Sequence, residues 1–279
     1  MKKLLLYVCC ICLISSCENP TTSSVVTCGV EEISSSAPQN LNVLFIGTNH
    51  TIVYNVPETV KLIAESKGDV FNYEMSAPEW YDFKRHCQLN STISEINSKS
   101  WDYVVMQESG WRTALPQFMA DTMVYPYATT LNDMIKGNNN ATKVVLYMTQ
   151  GYRNGVLAFN DSSWAGQDPQ VTTYEGMQER IRENYLYMTE LLNSGIAPAG
   201  MMWNIFTDRY PDVDLYLPDG IHANQNGAYL SACTIYSVIC KRKPENIYIP
   251  ADVADDIAQK IQTTVSEALF DCNPDWREY

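Results

Sequence analysis

Positive charge is scarce in this chain. Nineteen Lys and Arg stand against 32 Asp and Glu, a formal net charge of −13. Nucleic-acid binding is not expected, because phosphate contacts need clustered Lys and Arg. Histidine is rarer still, with three copies, and His50, His86 and His222 lack a recognised metal-ligand spacing. No metal or other cofactor is therefore expected. Long apolar runs are missing too. Leu4 to Ile14 is the run at the N-terminus, too short to span a bilayer comfortably. Nor is there an internal repeat or a composition shift that would mark a second domain. Aromatics are plentiful instead: 18 Tyr and 6 Trp. Their polar ends need partners, which places many near the surface or in a cleft.

The N-terminus reads as a targeting segment. Lys2 and Lys3 precede the apolar run, and Ser15-Ser16-Cys17 follows it. Ile14-Ser15-Ser16-Cys17 resembles a bacterial lipobox, so residues 1–16 are expected to be a lipoprotein signal peptide. Cys17 would carry the lipid and tie an exported protein to a membrane of the cell envelope. Residues 17–40, with Pro20 and the serines at 23, 24, 34, 35 and 36, read as a tether. The folded domain is then residues 41–279. Cys28, Cys87, Cys233, Cys240 and Cys272 remain in the mature chain, an odd number without zinc-like spacing. An export compartment would permit a Cys28–Cys272 bond, which sequence does not settle.

Strand and helix patterns alternate along the domain. Strand candidates are Asn42–Gly47, Val70–Met75, Trp101–Met106, Lys143–Met148 and a weaker Ala197–Met202. Helical spacing runs through Pro57–Ser66, Phe118–Ile135, Tyr174–Leu192, Asn224–Ile239 and Ala251–Leu269. Such alternation predicts a parallel sheet of about five strands with helices on both faces, its site at the carboxyl ends of the strands. Gly151–Val171 lacks periodicity and reads as a lid or binding loop.

Asp219 and His222 offer the clearest chemistry. A carboxylate three residues before an imidazole can accept from one ring nitrogen and leave the other to act as a base. The competing reading makes Asp219 only the start of the next helix. Two more segments fall at strand ends: Val43-Leu-Phe-Ile-Gly-Thr-Asn-His-Thr51 and Tyr103-Val-Val-Met-Gln-Glu-Ser-Gly110. Together with Asp219-Gly-Ile-His-Ala-Asn-Gln-Asn-Gly-Ala-Tyr-Leu230 they resemble the SGNH (GDSL-like) hydrolase superfamily over roughly residues 42–240. More narrowly, they resemble a bacterial branch reading Phe-Ile-Gly-Asn-Ser-His-Thr, Val-Val-Leu-Gln-Glu-Gln-Ser and Asp-Gly-x-His-Pro-Ser-x-x-Gly-x-Tyr-Leu.

That resemblance implies a three-layer flavodoxin-like fold and ester hydrolysis through an acyl-enzyme, often on acylated carbohydrates. It also implies that Gly47, Thr48, Gln107, Glu108 and Ser109 line the cleft or oxyanion site. The expected nucleophile position, however, holds Asn49. A carboxamide cannot replace a serine hydroxyl, because its nitrogen lone pair is delocalised. The second motif's oxyanion glycine also looks altered, the chain reading Ala77-Pro-Glu-Trp-Tyr81 there. Trp80, Trp111 and Trp164 are candidates to stack on a sugar ring, or else half-buried core. His50 and His86 read as packing or hydrogen-bonding residues. The leading expectation is a surface lipoprotein impaired in catalysis that binds an acylated carbohydrate or other small ester. The alternatives are an active atypical esterase or deacetylase, and a structural or partner-binding lipoprotein.

Overall fold

The computed structural model describes residues 29–33, 37–158 and 168–279. The first half runs β1 (Asn40–Ile46), α1 (Asn49–Ile52), α2 (Val56–Ser66), β2 (Val70–Ser76), α3 (Phe83–His86), α4 (Asn90–Ser98) and β3 (Tyr103–Met106). After α5 (Gly110–Thr113), α6 (Gln117–Met123) and α7 (Tyr125–Asn138) come β4 (Lys143–Tyr147), α8 (Tyr174–Leu192) and β5 (Gly195–Ala197). Helices α9 (Ala199–Arg209), α10 (Gln225–Cys240) and α11 (Asp255–Phe270) close the domain. All four strand pairings are parallel, in the order β2-β1-β3-β4-β5. Helices α2, α9, α10 and α11 pack together, as do α4, α7 and α8. Right-handed crossovers put these groups on opposite faces of the sheet.

Central strands buried on both faces need apolar side chains at every position. Accordingly Val43, Leu44, Phe45, Ile46, Val104, Val105 and Met106 are almost fully buried. The chain leaves β1 for β2 on one side and then crosses to β3 on the other. The carboxyl ends of β1 and β3 are thus a topological switch point, where a parallel sheet opens a crevice.

Three boundaries differ from the sequence reading. The fifth strand is Gly195–Ala197, and the apolar residues from Ala199 onward form a buried helix. A short apolar run has no periodicity that separates buried strand from buried helix. Phe118–Ile135 splits into two helices at Val124, with Pro126 in the first turn of the second. Residues before 41 also join the domain: Val30 N–H donates to Leu269 O, Ile33 N–H to Lys241 O, and β1 starts at Asn40. Cys272 is disulfide-bonded, whereas Cys87, Cys233 and Cys240 are free thiols. Cys28 lies outside the described residues, next to Gly29, which sits against the Cys272 sulfur.

Candidate active site

The loop after β1 is built around Gly47. A Cβ there would lie 2.2 Å from Thr51 Oγ1 and 2.9 Å from Gln107 Oε1, so no larger residue fits. Gln107 Oε1 accepts from Thr48 N–H and from the Thr51 hydroxyl, both at 2.9 Å. His86 is fully buried and braces the same loop from below, Nε2 lying 2.8 Å from Gly47 O and Nδ1 2.9 Å from Thr92 Oγ1. A carbonyl only accepts, so Nε2 carries the proton and Nδ1 accepts from Thr92. Burial lowers the His86 pKa, which keeps the ring neutral in this role.

Asn49 opens the one-turn helix α1 and is half-buried. Its Oδ1 accepts from Trp80 N–H at 2.8 Å and from the Thr48 hydroxyl at 3.0 Å. Trp80 lies between β2 and α3 with φ of 63°, a left-handed conformation that glycine adopts freely and a bulky residue does not. Trp80 thus holds a backbone conformation that suits glycine, with an indole attached. The donor it offers to the site is already occupied by Asn49.

Glu108 is fully buried at the end of β3, accepting from Ser109 N–H at 2.7 Å and Phe83 N–H at 3.1 Å. Burial pushes its carboxyl up to about 8, against the pull of those two N–H groups and Arg112. Arg112 pairs with Asp82 at 3.0 Å in largely buried surroundings and lies over the Trp111 ring. Gln107 and Glu108 therefore fasten loops from within, while Ser109, half-exposed, stands where α5 begins. Trp111 is half-buried against the core. Trp164 and Cys17 lie outside the described residues.

The third segment is a tight turn ahead of α10. Gly220 takes φ of 69° against the Arg153 side chain, and its carbonyl accepts from Arg153 N–H at 2.8 Å. Asp219 Oδ2 lies 2.7 Å from His222 Nδ1, while Asp219 Oδ1 accepts from the N–H groups of Ile221 and His222 at 2.8 and 3.0 Å. Partial burial would raise the Asp219 pKa. The bonds to the His222 ring and to the two N–H groups outweigh this and hold the carboxyl below its usual range. The carboxylate thus accepts a hydrogen bond from Nδ1–H and leaves Nε2 as an acceptor. Asn224, not Asp219, caps α10, its Oδ1 accepting from Gly227 N–H at 3.1 Å. The reading of Asp219 as a mere helix start is excluded.

His50 joins this turn to the first loop. Its ring centroid is 5.6 Å from that of His222, tilted by 37°. Burial, then the neighbouring His222, lowers the His50 pKa to about 3, so it stays neutral. Gln150, just past β4, donates to His50 Nδ1 at 3.2 Å and to Ile221 O at 3.0 Å. Arg153 holds Asp214 through two contacts of 2.7 and 2.8 Å and lies over the Tyr216 ring. The sequence reading assigned no role to Gln150, Arg153 or Asp214. Their one signal was position, since Gln150 and Arg153 follow a strand's carboxyl end. Among the described residues, no cluster of three or more His, Cys, Asp or Glu is arranged to hold a metal.

No protein-family model matches the chain, and no curated protein matches it either. Solved structures do. A DUF4886 family protein from Bacteroides uniformis shares 16% identity at TM-score 0.65, over 82% of this chain and 94% of its own. A candidate SGNH hydrolase from Slackia heliotrinireducens shares 18% at TM-score 0.54, over 72% and 99% respectively. A candidate GDSL-like lipase from Parabacteroides merdae shares 16% at TM-score 0.50, over 76% and 99%. The chain has the SGNH-hydrolase fold.

Proposed function

We propose that this SGNH-fold chain is an exported lipoprotein that binds an acylated carbohydrate or a related small ester and is impaired in hydrolysing it. The observation that carries this reading is Asn49, which has no nucleophilic atom and whose carboxamide oxygen takes the Trp80 N–H at 2.8 Å. Acyl transfer needs a nucleophile beside His222 Nε2 and free donors for the oxyanion. At Asn49 the first is missing and one candidate donor is engaged. The resemblance to ester hydrolases supports the ligand class. The lipobox-like Ile14-Ser15-Ser16-Cys17 supports the anchor. The test is turnover of an ester panel, p-nitrophenyl acetate and acetylated oligosaccharides included, beside binding of the same compounds by calorimetry. Binding with turnover no faster than in His222→Ala is expected; turnover that vanishes in His222→Ala overturns the reading. Metabolic labelling with a palmitate analogue, lost in Cys17→Ala, checks the anchor.

One observation favours a second reading, an atypical esterase. The Asp219–His222 pair is assembled at 2.7 Å with Nε2 left as an acceptor, able to draw a proton from water instead of serine. This version predicts His222-dependent hydrolysis with no adduct after organophosphonate treatment.

A further inference from the structure

Trp80 combines three properties that the fold does not need. The residue is 64% exposed, so its burial adds little stability. Its backbone is left-handed with φ of 63°, where glycine would sit without strain. That backbone is also clamped on both sides: the N–H donates to Asn49 Oδ1 at 2.8 Å, and the carbonyl accepts from Arg85 at 2.5 Å. Arg85 is fixed in turn, its N–H capped by Asp82 at 2.8 Å and its guanidinium over the Tyr81 ring. A backbone-clamped residue in a strained conformation that presents an exposed aromatic beside a site is suited to contact a ligand. Tyr54 is also exposed with a left-handed backbone (φ of 49°), but Trp80 is more exposed and its N–H is bonded to Asn49, whereas Phe118 and Val70 carry no such strain.

Resting on the ligand-binding reading above, we propose that Trp80 is the platform on which a neutral pyranose ring of the ligand stacks, its ester directed toward Asn49 and His222. An indole face is broad, apolar and weakly negative, which suits the C–H face of a sugar. The Trp80 backbone is held before the ligand arrives, so no backbone freedom is lost on contact. The chain's charge of −13 disfavours acidic sugars and leaves neutral ones.

The experiment titrates the whole mature protein with acetylated and deacetylated oligosaccharides of glucose, xylose and N-acetylglucosamine, read by calorimetry and tryptophan fluorescence. Wild type, Trp80→Gly, Trp80→Asn and Trp80→Phe are compared, with melting temperatures alongside. Glycine relieves the left-handed strain, so Trp80→Gly should melt at or above the wild-type temperature while binding at least tenfold more weakly. Trp80→Asn, which also tolerates this conformation, should lose binding equally, and Trp80→Phe should stay within about threefold. Wild-type binding that persists in both Trp80→Gly and Trp80→Asn overturns the platform but leaves the ligand-binding reading intact. A wild type that binds no oligosaccharide overturns both. Binding of choline esters in place of sugars, lost in Trp80→Gly, would show a cation platform and overturn the sugar assignment.

Discussion

Replacing Asn49 by serine tests the site as a whole. The serine oxygen sits where the Asn49 Cγ now stands, one bond short of the oxygen that meets Trp80 N at 2.8 Å. The substitution therefore supplies a hydroxyl and releases a donor. One oxyanion donor is worth about 10²–10³ in kcat. A positioned base adds about 10²–10⁴. Losing two hydrogen bonds from Oδ1 costs about 1–2 kcal/mol of stability, a modest figure because solvent reaches the exposed Trp80. Hydrolysis of p-nitrophenyl acetate by Asn49→Ser should then exceed that of Asn49→Ala by at least about 100-fold. Asn49→Ala is the proper reference, since it frees the donor without adding a nucleophile. The gain should vanish in Asn49→Ser/His222→Ala, and a fluorophosphonate should label the new serine alone. A folded Asn49→Ser no faster than Asn49→Ala would refute the reasoning, as would a gain that survives loss of His222.

Three other substitutions probe the supports. Gly47→Ala forces a Cβ to within 2.2 Å of Thr51 Oγ1 and should cost about 1–3 kcal/mol in denaturant melts; an unchanged midpoint would show that the loop is not close-packed. Thr92→Val leaves His86 Nδ1 buried without a donor, and about 1–3 kcal/mol should be lost, again by denaturant melt. Glu108 makes stability depend on pH in the sense opposite to an ion-paired carboxylate. Its folded pKa is about 8 against an ordinary 4.5, so across that window the folded chain keeps a proton the unfolded chain has released. Stability should fall as pH rises from about 4.5 to 8, by at most about 5 kcal/mol from this group, and Glu108→Gln should flatten that slope in melts across the range.

Much of this architecture is legible in the chain because each signal is local. The buried strands β1, β3 and β4 announce themselves as unbroken apolar runs such as Val43-Leu-Phe-Ile46. Asp219, Gly220 and His222 make a turn whose bonds span no more than three residues. What was not legible depends on distant partners. Gln107 at a strand end suggests a cleft residue, yet its oxygen is taken by Thr48 and Thr51, more than 50 positions away. Gln150 acts through His50, 100 residues back. Trp80 gave no local hint of a left-handed backbone, because aromatic residues rarely adopt one.

Finally, an assembled Asp–His pair is weak grounds for inferring turnover, because Asp219 has two duties. One oxygen holds His222 Nδ1, and the other holds the N–H groups of Ile221 and His222 that shape the turn. The second duty needs the aspartate whether or not any proton is transferred. Asp219→Asn separates them. The amide oxygen can still accept both backbone N–H groups, so the melting temperature should change by no more than a few degrees. The amide nitrogen now faces His222 Nδ1 and donates to it, so the ring must carry its proton on Nε2, where a base needs a lone pair. In the Asn49→Ser background this should cut esterase turnover by about 10⁴-fold, the scale expected for a catalytic His held in the wrong tautomer. Asp219→Ala removes both duties and should lower stability as well as activity. If Asp219→Asn and Asp219→Ala melt alike and well below the parent, the turn depends on the carboxylate charge itself, and its survival says nothing about catalysis.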